Sequence, residues 1–180
     1  MKKSLPIGVC ILISLALVLF GLGFGTVKGF NADRTQVSEL LSGENGLMDV
    51  LSYRGADGYN LCVVARRHLT DDADVSELSR IAAVLTDATQ SLAAKKQEND
   101  RLDAAVLAVK TKLEGTATYQ QSQRDQKYMA MLEGDLKNLS ATDKVSLYNQ
   151  AAQDFNSQLS APVSGWIASL LGVKPCELYQ

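Results

Sequence analysis

Apolar residues follow two regimes along this chain. Over residues 5–24 they run on with only Ser14 and three small glycines for relief, directly behind Met1-Lys2-Lys3. At 1.5 Å per helical residue such a run reaches about 30 Å, the thickness of a bilayer's hydrocarbon core. Beyond Val27 the apolar positions recur at intervals of three and four, Pro occurs only at 6, 162 and 175, and β-branched residues are scattered. That spacing predicts helices and no sheet. The expected fold class is all-α: an N-terminal transmembrane helix followed by an antiparallel bundle of three to four long helices. Residues 1–4 form a short tail, 5–25 the anchor, 31–160 the bundle, and 161–180 a C-terminal amphipathic segment and tail.

Within the bundle, Val37, Leu40, Leu41, Leu47, Met48 and Leu51 lie on one stripe that continues through Gly55, Gly58, Cys62, Ala65 and Leu69, predicting a first helix over 32–69. Glycine inside a helix costs about 1 kcal/mol against alanine, so Gly55 and Gly58 mark either a break or a close approach by a neighbouring helix. Close approach is the favoured reading. Thr70-Asp71-Asp72 then supplies capping side chains for a second helix, with Val75, Leu78, Ile81 or Ala82, Leu85, Ala88 and Leu92 leading to Asn99, Leu102, Val106, Val109 and Leu113. A kink or loop is expected over 95–101. After Gly115 a third helix opens around Gln120 with Met129, Leu132, Leu136 and Leu139 on its apolar edge. Its phase slips over 138–143, where Ser140 to Asp143 resembles a capping box, before Val145, Tyr148, Ala152, Phe155 and Leu159 resume the spacing. Pro162 closes the helix, and Val163, Trp166, Ile167, Leu170 and Leu171 make a short amphipathic piece.

Charge and candidate chemistry narrow the functional classes. A formal net charge of −2 without a basic block offers no face that tracks phosphates, so nucleic acid is not an expected partner. A cleaved signal peptide competes with the anchor, although the apolar run exceeds a usual signal core and Gly-Leu-Gly-Phe-Gly is a poor cleavage pattern. Lys2 and Lys3 before the run, against Lys28 and Arg34 after it, favour a cytoplasmic N-terminus and an extracytoplasmic body. With Cys10 in the anchor, only Cys62 and Cys176 remain to pair, which excludes a disulfide framework. One histidine and no Cys-x-x-Cys leave too few ligands for structural zinc. Asp71, Asp72, Asp74 and Glu77 lack the alternation and central glycine of a calcium loop and read as helix caps. Cys62 and His68 sit about 120° apart around a helix and cannot form a dyad; His68 reads as a solvated or dipole-complementing side chain. No phosphate loop or nucleophile elbow occurs. Neither catalysis, a metal nor a cofactor is expected.

The asparagines carry the most specific pattern. Asn149 and Asn156 lie seven residues apart, each behind an aromatic, Tyr148 and Phe155, while Asn60 follows Tyr59 in the first helix. A repeat of seven keeps such residues on one helical face, predicting a buried polar seam that fixes register, with a functional polar groove as the rival. Tyr148-Asn149, Phe155-Asn156, Pro162 and Leu170-Leu171-Gly172-Val173-Lys174-Pro175 resemble the C-terminal pattern of the LemA family of bacterial membrane proteins. Arg54, Ala56, Asp57, Asn60 and Leu61 resemble its Arg-x-Ala-Asp…Asn-Leu signature, one residue shorter between Asp57 and Asn60. The family's Glu-Asn-x-Ile and Ala-Arg steps before the first Tyr-Asn are absent.

The resemblance covers both ends of the body better than its middle. It implies long antiparallel helices on one membrane anchor without established catalysis. It also brings a short N-terminus often placed outside, which leaves orientation open. The function expected is a non-catalytic adaptor or scaffold in the bacterial cell envelope, displaying helices near 40 residues long. It would be held to the membrane by its N-terminal helix and bind a protein partner, in an oligomeric state the sequence leaves open. A membrane sensor and an envelope enzyme without a recognisable motif are the alternatives. Trp166 reads as packing across the bundle's end or as touching membrane or partner.

Overall fold

The computed structural model describes residues 6–180, so the expected tail at 1–4 lies outside the described residues. They form eight α-helices in the order α1 (Ile7–Ser42), α2 (Leu47–Ala65), α3 (Ala73–Thr86), α4 (Leu92–Glu114), α5 (Ala117–Gln120), α6 (Gln123–Ser140), α7 (Lys144–Leu159) and α8 (Ser164–Leu170). No strand occurs among the described residues. They group into two compact units: residues 6–38 with 150–177, and residues 39–149 with 178–180.

In the first unit the apolar run from Ile7 onward lies in α1, whose side chains from Ile7 to Phe24 stay exposed, Ile7 at 80 % and Phe20 at 73 %. This helix is long and apolar enough to cross a membrane. Burial begins only at Phe30, which meets the Phe155 ring edge-on at 5.8 Å, an arrangement that sets the positive ring edge against the negative face. The Arg34 guanidinium lies 6.0 Å from the centre of the same Phe155 ring.

In the second unit α2 is the central element, packed against α3, α4 and α6. Leu47, Leu51, Leu61 and Cys62 of α2 are buried with Leu78, Ile81 and Leu85 of α3, Leu102, Val109 and Leu113 of α4, and Met129, Leu132 and Leu136 of α6. These are the positions that the three-and-four spacing selects.

Two helix breaks fall away from their expected places. The expected helix over 32–69 is interrupted at residues 43–46, where Asn45 adopts a left-handed φ of 58°. A Cβ on Gly43 would lie 2.5 Å from the Glu39 carbonyl, so glycine is what permits the chain to turn there. The expected kink over 95–101 is uninterrupted helix instead. The break comes earlier, where the Asp87 carboxylate accepts from the Thr89 N–H and hydroxyl and from Gln90, and Ser91 caps α4 by accepting from the Ala94 N–H. These breaks cut the expected helices of near 40 residues; α4, at 23, is the longest after α1.

Lys95 explains why the later site holds. Its buried side chain lies along α3 and donates to the Val84 carbonyl at 3.2 Å and to the Leu85 carbonyl, placing a cation against the carbonyls that end α3. The chain also breaks between Ser140 and Lys144, within the expected phase slip, and α7 ends at Leu159, ahead of Pro162.

Candidate functional site

Close helix packing at the glycines sets the scaffold. A Cβ on Gly55 would lie 2.9 Å from the Ala82 carbonyl oxygen, Leu85 Cβ and Thr86 Cγ2. On Gly58 it would come within 3.1 Å of Leu102 Cδ1. Both glycines are buried inside α2, where the absent side chain lets α3 approach its backbone.

The asparagines separate rather than converge on one seam. Asn60 is exposed on α2. Asn149 and Asn156 are half-buried on α7, and neither bonds to another asparagine: each holds a residue of the C-terminal stretch through its main chain. In the second unit the Asn149 amide donates to the Tyr179 carbonyl at 2.9 Å and its oxygen accepts from the Tyr179 N–H at 2.8 Å. In the first unit Asn156 does the same with Cys176, at 2.9 and 2.7 Å. A primary amide carries a donor and an acceptor side by side, as a peptide unit does, so it can satisfy both main-chain groups of one irregular residue. The expected seam through Asn60, Asn149 and Asn156 is thus corrected: an extended chain end, which has no ladder of its own, takes up the amides of α7. Tyr148 and Phe155, each preceding an asparagine, are 1 % exposed and anchor α7.

Tyr179 completes the clamp on Asn149. Its ring is buried with Lys96 Nζ 6.0 Å from the ring centre, and its phenol is pushed up to about 12, chiefly by burial and by the charge of Asp100, with Asn99 and Arg54 working the other way. Beside it Arg54 is 3 % exposed, donating to the Leu136 carbonyl at 3.3 Å and to Asp103 at 2.7 Å. Arg54 therefore serves the end of α6 as Lys95 serves the end of α3.

Asn60 opens instead onto a groove of about 460 Å³ between α2 and α6, also lined by Val63, Arg67, Arg124, Asp125 and Tyr128. Tyr128 is 49 % and Val63 40 % exposed, and Tyr59 stands at 49 % one helical turn before Val63. Aromatic and arginine side chains beside an open apolar floor are the composition that buried interface centres favour. Arg67 pairs with Asp125 at 2.6 Å, and Arg124, its side chain 80 % exposed, lies 3.8 Å from the same carboxylate.

Asp125 also organises the cluster that sequence reasoning missed. His68 is not solvated: its side chain is 7 % exposed, with Nε2 2.9 Å from Asp125 Oδ2 and Nδ1 3.1 Å from Thr118 Oγ1, and its ring meets Tyr119 edge-on at 5.5 Å. Burial works to raise the Asp125 carboxyl, but hydrogen bonds from His68 and Ser122 together with Arg67 outweigh it and hold the carboxyl below its usual range. Hydroxyl, imidazole and carboxylate thus lie in a row, yet the carboxylate is already shared with Arg67. What this arrangement does is join the end of α2 to the start of α6. Its only sequence signals were a lone histidine at a helix end and an aspartate in a first turn, 57 residues apart.

The remaining candidates are placed individually. Cys62 is buried, its Sγ 3.5 Å from the Val75 carbonyl, and its thiol is pushed up to about 11, chiefly by burial, which suppresses the reactive thiolate. Asp72 caps α3, accepting from the Asp74 and Val75 N–H groups, and pairs with Lys112. Trp166 lies on α8, 66 % exposed. No protein-family model matches the chain, and comparisons with curated proteins and with solved structures find no match.

Proposed function

We propose that this chain is a LemA-like, membrane-anchored helical bundle acting as a non-catalytic adaptor or scaffold in the bacterial cell envelope. Its first helix is the single-pass anchor, and its body faces away from the cytoplasm. The observation that carries the reading is the α2/α6 groove, where Val63 and Tyr128 stand exposed beside Asn60 and the outward Arg124, with Tyr59 exposed one turn before Val63 on α2. Exposed apolar and aromatic groups gathered into one polar-rimmed patch, rather than scattered singly, mark an interaction surface. The groove suits a protein segment that brings an apolar side chain to its floor and a carboxylate to Arg124. The Tyr-Asn and Phe-Asn pairs of α7 and the Arg54-to-Leu61 signature support the family resemblance.

The test is site-specific photocrosslinking in intact membranes from Tyr59 and from Tyr128, with Leu107, exposed on α4, as the control. One protein species captured from both Tyr128 in the groove and Tyr59 one turn from it, not from Leu107, and lost on Arg124→Glu supports the adaptor reading. The same adduct pattern at all three positions, or none, overturns it.

A second reading, an envelope hydrolase, is favoured by one observation, the row of Thr118, His68 and Asp125. Labelling of Thr118 by a phosphonylating probe, lost on His68→Gln, would support it.

A further inference from the structure

Helix α8 wears its apolar residues on the outside. Its fully covered positions are the small Gly165 and Ala168 and Ile167 is half-buried, while Val163 is 72 %, Trp166 66 % and Leu170 71 % exposed. Positions 163, 166 and 170 are spaced by three and four, so they form a single stripe, and Leu171, 53 % exposed, extends it. A helix packed on a water-soluble body does the reverse, turning its large apolar side chains inward. The inner face cannot take anything larger: a Cβ on Gly165 would lie 2.0 Å from the Leu159 carbonyl oxygen. The stripe is as exposed as the apolar run itself, where Phe20 stands at 73 % and Phe24 at 65 %.

Its position within the same unit says what covers it. A Cβ on Gly23 would lie 3.7 Å from Leu171 Cδ1, so the end of α8 touches α1 at the last residues of the apolar run. The start of α8 lies a little further along α1: Ser164 and Ala161 share a cleft of about 320 Å³ with Gly25, Thr26 and Gly29. Residues 7–24 span about 27 Å as helix, close to the thickness of the hydrocarbon core, so positions 23–29 run from just inside its edge to roughly 7.5 Å outside it. That is the depth of the headgroup region, where tryptophan is enriched and amphipathic helices lie in the plane of the interface. Lys28, within this stretch of α1, and Lys174, three residues past Leu171, are both exposed and carry the charge that phospholipid headgroups attract.

We propose that α8 is a second membrane contact, an interfacial foot in which Val163, Trp166, Leu170 and Leu171 enter the headgroup boundary of the bilayer that α1 crosses. The inference rests on reading residues 5–24 as a membrane anchor. Such a foot restricts the tilt of α1 and the height of the adjoining residues above the lipid.

Trp166 is the chain's single tryptophan and reports on α8 without added labels. The full chain is reconstituted at high lipid excess into phosphatidylcholine vesicles whose acyl chains are brominated either close to the headgroup or near the terminal methyl. The expected result is blue-shifted emission with a large loss of intensity in the shallow-brominated lipid, a smaller loss in the deep-brominated one, and little quenching by aqueous iodide. Val163→Asp with Leu170→Asp should abolish the bromine effect and restore iodide quenching. Water-like emission open to iodide and blind to bromine overturns the inference. So does blue-shifted emission blind to both bromolipids, which would place Trp166 against protein, a second copy included. Flotation and resistance to alkaline extraction report the anchor separately. A chain that floats but fails the bromine test refutes the foot alone, whereas a chain that does not float removes the anchor and the foot together.

Discussion

Substituting Gly55 by alanine isolates the cost of close packing between α2 and α3. The added methyl would sit 2.9 Å from the Ala82 carbonyl oxygen, Leu85 Cβ and Thr86 Cγ2 at once. The carbonyl cannot turn aside, because it belongs to the α3 backbone and already accepts the Thr86 hydroxyl at 3.0 Å. Relief therefore requires α3 to move, an overpacking cost of about 1–3 kcal/mol. Alanine meanwhile gains about 1 kcal/mol of helix propensity, so the net loss falls at about 0–2 kcal/mol. Gly134 supplies the reference: it lies inside α6, exposed, with nothing within 4 Å of its would-be Cβ. Gly134→Ala should then gain about 1 kcal/mol. The propensity gain is common to both variants, so their difference reads the packing cost alone, about 1–3 kcal/mol. Gly58 belongs between them, because its nearest neighbour at 3.1 Å is the movable end of Leu102. Urea midpoints of the full chain in nonionic detergent, followed by helical circular dichroism, give the ranking. A Gly55→Ala midpoint that rises as far as that of Gly134→Ala refutes the reasoning.

Lys95→Met leaves the Val84 and Leu85 carbonyls without their buried donor and should cost about 1–3 kcal/mol in the same urea assay. Asn149→Ala should speed amide exchange at Tyr179 and leave Cys176 protected, with Asn156→Ala giving the converse; equal effects at both residues would mean that the clamps are not independent. The Asp125 carboxyl is held below its ordinary 3.8, so its contribution to stability is complete above that value and is lost as pH falls through the lower folded value. Asp125→Asn should accordingly flatten the stability profile below about pH 4, and an unchanged acid slope would deny the carboxylate its role.

Helix content and the core stripes were legible because both depend on spacing along the chain. Val75, Leu78, Ile81 and Leu85 needed no partner to be recognised as one face. The apolar run and the phase slip near Ser140 were legible for the same local reason. Breaks at residues 43–46 and 87–91 were less so. Asn45 and Asp87 are ordinary residues until the chain turns, and the stripe reads through both sites because a short loop can return the next helix to the same core. Lys95, an apparent breaker on charge, is instead buried by the carbonyls of another helix.

The sequence by itself determined that this is a helical chain with one membrane-length apolar run, and that α7 presents Asn149 and Asn156 a heptad apart. Those properties follow from side-chain periodicity and length. Tertiary structure decided what the amides meet, that Asn60 opens onto a groove instead, that His68 finds Asp125 from 57 residues away, that α8 turns Trp166 outward, and that Leu171 comes to rest beside Gly23. A hydrogen bond between distant residues depends on how helices pack and where loops reverse. Which face of a short helix is covered depends on what lies behind it, here a Leu159 carbonyl with room only for glycine.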